Sequence, residues 1–254
     1  MTVEQKKNLA VFLDVAEDFL HGGYKNPERE YNFTDDDIPT NPIQVEAQET
    51  KQPEISTPAD SIEAIAQEVS ACTLCQLHKG RTHAVPGEGV KRPLVLVIGE
   101  GPGADEDATG RPFVGKAGQL LEKMLAAVQL SRQSNCFIVN VVKCRPPNNR
   151  DPLPEEVASC SSYLARQLNL LKPCVILSLG RIATQSLLQT SEGIGKLRGI
   201  FTEYEGLPLI PTYHPSALLR DESLKRFAWE DLKKLRDKLV TLDKHYELEI
   251  TRGN

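Results

Sequence analysis

The sequence contains no run of 18 consecutive apolar residues, which excludes a transmembrane helix. Its first 20 residues lack a long apolar stretch and a small-residue cleavage site, so we do not expect a secretory signal. Neither a G-x-G-x-x-G dinucleotide fingerprint nor a P-loop ending in G-K-S/T is present. Six cysteines in 254 residues are too few for a disulfide scaffold, yet they are enough for a metal site or a redox pair.

Charge is distributed unevenly along the chain. Residues 1–70 carry 15 acidic and 5 basic side chains, whereas residues 71–220 carry 12 acidic and 17 basic ones. Residues 221–254 are balanced, with eight of each sign, so the positive excess lies in the middle segment. A positive excess is compatible with a phosphate-rich partner.

The first 67 residues predict an acidic extension. Residues 3–21 have the periodicity of a short amphipathic helix. Residues 22–58 are polar, acidic and interrupted by prolines, so they bury too little surface to offset chain entropy and are expected to be a linker. We expect the main domain to span residues 68–243 and a C-terminal tail to follow at residues 244–254.

Short apolar runs alternate with segments of helical periodicity from residue 94 onward. The apolar runs predict strands at residues 94–99, 137–142, 175–179 and 209–213. The helical segments are residues 116–130, 154–170, 181–188 and 223–240. This α/β alternation predicts a three-layer αβα fold with a central sheet of four parallel strands. Ligands of such sheets bind at the carboxyl ends of the strands.

Four cysteines form a pattern that suits a metal. Cys72 and Cys75 make a C-x-x-C pair, and Cys144 and Cys160 follow with fifteen residues between them. Four thiolates hold an iron–sulfur cluster or a zinc ion, and a redox-active C-x-x-C pair is a third interpretation. The spacing alone leaves these three alternatives open.

Polar residues stand at the ends of three predicted strands. The first strand runs into a glycine-rich turn, residues 99–107, which permits close approach of the backbone to a ligand. Asn140 lies near the end of the second strand, where its amide is able to bind a carbonyl beside an imide N–H, as uracil presents; a satisfied core asparagine is the alternative. His214 follows the fourth strand and precedes Pro215, a position suited to electrophilic or acid–base work.

These loops together resemble those of the uracil-DNA glycosylases, specifically the iron–sulfur, thermophile-type family 4, over about residues 68–240. The matching segments are GEGPGADEDATGRPFVG (99–115), NVVKCRPPNNRDP (140–152) and HPSALLR (214–220). The resemblance implies a uracil-DNA glycosylase-like fold and a structural [4Fe–4S] cluster on the four cysteines. Two features depart from the family: Gly101 stands where alanine is common, and the extension has no counterpart in the short members.

The resemblance implies a DNA-repair enzyme that flips uracil out of DNA and hydrolyses its N-glycosidic bond. It would leave an abasic site without cutting the strand, as in base excision repair. His214 would donate to uracil O2, and Glu100 and Glu106 are the carboxylates available to hold the attacking water. The residues that would bind the base are Gly101, Phe113 and Asn140. The residues that would contact DNA are Ser216, Leu218, Arg220 and Arg198, with Leu218 acting as a wedge between bases. Further cations expected beside DNA phosphates are Arg111, Lys143, Arg145 and Arg150.

The expected partner is uracil-containing DNA, single- or double-stranded, with no membrane involved. We expect a cytoplasmic monomer whose extension contacts a replication or repair protein. The alternative function is a non-catalytic iron–sulfur DNA-binding accessory protein, which would have no use for Asn140 and His214 together. A redox protein using Cys72 and Cys75 is a second alternative, and it would not need the other two cysteines.

Overall fold

A computed structural model describes residues 60–243 and Tyr246. The described residues belong to one compact unit, Ser56–Asn254. The predicted helix at residues 3–21 and the linker at 22–58 lie outside the described residues, as does nearly all of the C-terminal tail. Among the helices of the described part, none has the length and apolar character needed to cross a membrane.

Six strands of the described residues form one sheet. They are β1 (Glu88–Gly89), β2 (Val95–Gly99), β3 (Cys136–Asn140), β4 (Val175–Leu179), β5 (Thr202–Tyr204) and β6 (Leu207–Thr212). Their order is β1-β3-β2-β4-β6-β5. The central four are parallel, as predicted, whereas β1 and β5 pair antiparallel at the two edges. The prediction of four strands omitted these edges because two or three partly exposed residues give no periodic signal.

Eight α-helices connect and cover these strands in residues 60–243. They are α1 (Ile62–Ala71), α2 (Ala104–Thr109), α3 (Lys116–Ala126), α4 (Pro154–Leu171), α5 (Gly180–Leu188), α6 (Ile194–Leu197), α7 (Pro215–Arg220) and α8 (Lys225–Leu242). Short 3-10 turns occupy Gln76–Lys79, Pro147–Asn149 and Glu222–Leu224. The four helices predicted between residues 116 and 240 are confirmed within a few residues at their ends.

Both faces of the sheet are buried, which explains why its central strands are continuously apolar. In β2, Leu96 and Ile98 pack with α1, α4 and α5 on one face. Val95 and Val97 pack with α3, α7 and α8 on the other face. Burial on two faces gives the predicted three layers and leaves the carboxyl ends of the parallel strands open for a ligand.

Helix α3 lies unusually close to the loop that precedes it. A Cβ atom on Gly118 would stand 2.0 Å from the carbonyl carbon of Phe113. The same loop is held by buried Arg132, which donates from Nη1 to the carbonyl oxygen of Pro112 at 2.8 Å and from Nη2 to that of Phe113 at 3.0 Å. Phe113 has a φ of 53°, a left-handed conformation that needs such support.

This contact makes Gly118→Ala a sharp test of the packing. We expect the alanine Cβ to push the Phe113 loop away and to lower the free energy of unfolding by about 1–3 kcal/mol, despite the better helix propensity of alanine. Urea denaturation measures this change. Gly195→Ala is the matched control, because a Cβ there meets only the Tyr213 hydroxyl at 3.9 Å. Equal stabilities for the two variants would contradict the prediction.

Candidate functional site

A cleft of about 360 Å³ lies where the first, second and fourth parallel strands end. Its lining includes Glu100, Phe113, Asn140, Asp151, His214 and Arg220. The three segments singled out by the sequence therefore meet in one place. The cleft combines an aromatic ring, two amides, an imidazole and three carboxylates, those of Glu100, Glu106 and Asp151, which is a typical composition for a small-molecule site.

His214 is oriented by the residue two positions after it. Its Nδ1 accepts from the backbone N–H of Ser216 at 3.2 Å and lies 2.8 Å from the Ser216 hydroxyl. Because a backbone N–H only donates, Nδ1 carries a lone pair and the proton of the neutral ring is on Nε2. Desolvation by burial, with Arg220 adding to it, lowers the pKa of His214 to about 4. The ring is therefore a neutral donor at physiological pH.

Two neighbours fix the place of this imidazole. Gly180 has a φ of +85°, and a Cβ on it would stand 2.8 Å from the Cβ of His214. A side chain at position 180 is thus excluded both by conformation and by space. On another side, the ring of Phe113 lies with its centroid 5.6 Å from that of His214. Nothing in the residues around Gly180 indicates this role, because it depends on a residue 34 positions away.

Asn140 is almost fully buried, and its Oδ1 has no hydrogen-bond partner among the described residues. An unsatisfied buried acceptor costs about 1–3 kcal/mol, so this oxygen is ready to accept from a ligand N–H. Gly99 makes room for it, because a Cβ there would lie 2.4 Å from Oδ1 and 2.5 Å from Cζ of Phe113. The alternative of a satisfied core asparagine does not fit this geometry.

The two predicted carboxylates differ in their surroundings. Glu106 accepts from three backbone N–H groups, those of Val114 (2.9 Å), Gly115 (3.0 Å) and Gly103 (3.1 Å). It thus braces the Phe113 loop against the first loop. Within residues 60–243, the Glu100 carboxylate makes no hydrogen bond. Glu100 is therefore the carboxylate that is available to a water molecule.

The pKa of Glu100 is raised to about 7. Burial of the carboxylate is the main cause, and the like charge of Asp151 adds to it, while Arg181 acts in the opposite direction. Asp151 also lines the cleft and pairs with Arg181 at 2.5 Å. Asp151 lies within the matching segment 140–152, but its sequence context does not single it out as a site residue.

Two residues predicted to contact DNA are placed otherwise by the structure. Leu218 is 1% exposed and packs in the core, so it does not reach a DNA strand from this position; Leu219 beside it is 46% exposed. Arg198 forms an ion pair with buried Asp231 and donates to the carbonyl oxygen of Phe227 at 2.7 Å, so its charge is already balanced. Ser216 and Arg220 do line the cleft.

The other residues predicted to contact DNA or the base lie in different environments. Lys143 is 1% exposed and does not reach the surface, whereas Arg111 pairs with Glu88 at 2.8 Å on the surface. Gly101 also lines the cleft. An alanine Cβ at position 101 would lie 2.8 Å from Cγ2 of Val142, so the common family residue requires Val142 to shift.

The four predicted metal ligands line a second cavity. Cys72 and Cys75 reach it from the end of α1, Cys144 from the segment after β3 and Cys160 from α4, all as free thiols. Nη1 of Arg81 donates to the sulfur of Cys144 at 3.0 Å. In the described residues, no three His, Cys, Asp or Glu side chains converge closely enough to hold one metal ion. A cluster makes a different demand, since each thiolate binds a separate iron and the sulfurs stand farther apart.

Comparison with known proteins identifies the family. The family model of the Uracil DNA glycosylase superfamily matches residues 86–233. A type-4 uracil-DNA glycosylase of Sulfurisphaera tokodaii is 42% identical over 202 residues, which are 76% of this chain and 91% of that protein. The chain belongs to the type-4 uracil-DNA glycosylases. Members from Archaeoglobus fulgidus (43% over 184 residues; 69% and 92% covered) and Thermotoga maritima (44% over 182 residues; 70% and 94% covered) agree with this.

For this type-4 glycosylase chain, the surroundings of Glu100 predict a pH effect on stability. A carboxyl whose pKa is higher in the folded state stabilises the fold below its unfolded pKa near 4.5 and loses that contribution as pH rises through about 7. Glu100→Gln removes the ionisation. We therefore expect the variant to gain free energy of unfolding relative to the unmodified protein between pH 5 and pH 8, measured by urea denaturation.

Asp151→Asn is the control for the cause of this shift. Removing the like charge lowers the folded-state pKa of Glu100, so the loss of stability should end at a lower pH and be smaller than in the unmodified protein. A constant stability difference between the Gln variant and the unmodified protein from pH 5 to pH 8 would refute the raised pKa.

Proposed function

We propose that this chain is a monofunctional uracil-DNA glycosylase of base excision repair. It hydrolyses the N-glycosidic bond of a uracil nucleotide flipped out of DNA and leaves an abasic site. The observation that carries the proposal is that two groups line the same cleft. They are the His214 imidazole and the Oδ1 of Asn140, which has no hydrogen-bond partner among the described residues. The names of the type-4 relatives point to the same reaction.

Recognition of uracil follows from the amide of Asn140. Its Oδ1 accepts from N3–H of the base, and its NH2 donates to O4. Cytosine has an amine in place of O4 and no N3–H, so it would leave the buried amide with unmatched groups and is rejected. Phe113, 6% exposed at the wall of the cleft, stacks on the base, a contact worth about 1–3 kcal/mol.

Cleavage of the bond places negative charge on the departing uracil. The Nε2–H of His214 donates to O2 as this charge develops, and such preorganised donors contribute about 2.7–4 kcal/mol in other enzymes. Glu100, in its ionised form, accepts a hydrogen bond from the water that attacks the sugar. Glu106 acts indirectly, because its bonds to three backbone N–H groups keep Phe113 in place.

Contact with the DNA strand comes from the exposed end of α7. Arg220 stands at the edge of the cleft, where it is able to pair with a phosphate. Leu219 is exposed, in contrast to Leu218, and is the apolar side chain that fills the gap left by the flipped nucleotide. Uracil-containing DNA is thus the partner for which this surface is suited.

The cofactor we assign is a [4Fe–4S] cluster held by Cys72, Cys75, Cys144 and Cys160. The four thiols line one cavity and come from separate segments of the chain, which suits a cluster whose irons each take one thiolate. When bound, the cluster is a structural cross-link with no part in the hydrolysis. Its ligands would tie the end of α1 to α4 and to the segment that directly follows β3, the strand that ends at Asn140.

The first experiment tests the reaction itself. A labelled single-stranded oligonucleotide with one uracil should yield a shorter product only after alkali, and its thymine twin should yield none. His214→Ala should lower kcat by about 10²–10³, the loss that follows removal of one preorganised donor. Absence of product with a folded, iron-loaded protein would refute the proposal and favour the non-catalytic DNA-binding alternative.

A second experiment tests the cofactor. Protein purified without oxygen should contain about four irons per chain and absorb in the visible range. Cys144→Ser and Cys160→Ser should lose most of this iron. Cys174→Ser is the matched control, because this thiol lies outside the cavity and should leave the iron content unchanged. Stoichiometric zinc without iron in the unmodified protein would overturn the assignment.

A further inference from the structure

Lys143 is a buried lysine that the reaction described above does not use. Its side chain is 1% exposed, and its Nζ donates to the carbonyl oxygen of Asn140 at 2.8 Å. In residues 60–243, no carboxylate lies within ion-pair distance of it, although thirteen other ion pairs are formed there. An ammonium group buried without a counter-charge costs several kcal/mol. The position therefore calls for a negative partner.

The cavity of the four cysteines supplies the candidates for that partner. Lys143 lines this cavity together with Cys144, Cys160 and Glu156. The carboxylate of Glu156 is occupied by two hydrogen bonds from Arg150, at 2.7 and 2.8 Å, and by one from the backbone N–H of Leu153. The negative charge left for Lys143 is that of the cysteine sulfurs when they act as thiolate ligands.

The hydrogen bond that Lys143 donates connects this cavity with the uracil cleft. The acceptor of the Lys143 hydrogen bond is the main chain of Asn140, whose side-chain oxygen is the partnerless acceptor in the cleft. Asn140 is the last residue of β3 and lies opposite Gly99 in the parallel register. One side chain thus spans the distance between the cysteine cavity and the residue that selects the base.

We propose that Lys143 is a positioning residue that couples the two sites: its ammonium group balances the negative charge of the thiolate-ligated cluster and holds the main chain of Asn140 in its base-reading position. This inference rests on the proposed cluster and the proposed glycosylase activity. It assigns to Lys143 an internal role in place of the phosphate contact expected from the sequence.

Arg81 provides a matched comparison. It is a second cation at the same cavity, with Nη1 donating to the sulfur of Cys144 at 3.0 Å and Nη2 to the carbonyl oxygen of Ser70 at 2.7 Å. It makes no hydrogen bond to Asn140. Loss of Arg81 therefore removes positive charge near the cluster without touching the link to the uracil cleft.

The test compares Lys143→Met, Lys143→Gln and Arg81→Met as iron-loaded full-length proteins. A nearby positive charge favours the reduced cluster, so all three should have a lower reduction potential than the unmodified protein, measured by voltammetry. Only Lys143→Met also lacks a donor to Asn140, and its kcat/KM on the uracil oligonucleotide should fall roughly five-fold, as for one lost hydrogen bond. Lys143→Gln keeps an N–H donor and should lose less.

The outcomes separate this inference from the proposals beneath it. Unchanged potential and unchanged kcat/KM in Lys143→Met would overturn it, and so would an equal loss of kcat/KM in Arg81→Met. If both Lys143 variants fold but fail to take up iron while Arg81→Met takes it up, the counter-charge role is supported. Failure of the cluster or glycosylase proposal would show in the unmodified protein, as missing iron or missing uracil excision.

Discussion

Gly99 and Asn140 face each other in the parallel register of β2 and β3, and the arrangement of the cleft depends on this pair. The space that a side chain at position 99 would occupy is taken by the Asn140 amide and the ring of Phe113. Because a register shift of one residue turns every side chain to the opposite face, the amide reaches the cleft only in this register. Phe113, in turn, approaches His214. Three loops far apart in sequence therefore converge around one glycine.

Charged residues hold this convergence in place by binding backbone groups. Glu106 accepts from the N–H groups at the start of α3, and Arg132 donates to the carbonyl oxygens just before them. The side chains of Glu106 and Arg132 are both occupied by these structural hydrogen bonds. Glu100 is therefore the carboxylate that has free lone pairs for a ligand. The strained φ of Phe113 is tolerated because both sides of its loop are fixed in this way.

The sequence predicted the elements that are buried on two faces and the polar residues that interrupt them. Val95–Gly99 and the other central strands are apolar throughout, and Asn140 and His214 stand out at their ends. The partners of charged residues were not predictable in the same way. Arg198 and Lys143 were counted among the phosphate contacts, yet one pairs with Asp231 and the other is buried, because charge in a sequence carries no information about which neighbour balances it.

The exposed face of a short helix was equally impossible to predict from the sequence. Leu218 and Leu219 are adjacent and identical in type, so only the orientation of α7 decides which one is exposed. That orientation begins at His214, whose Nδ1 receives the first free N–H of the helix. With this nitrogen engaged, the ring has no second site from which to relay a proton. In the proposed reaction, uracil would accordingly depart as an anion held by one hydrogen bond, and its protonation would be left to the solvent.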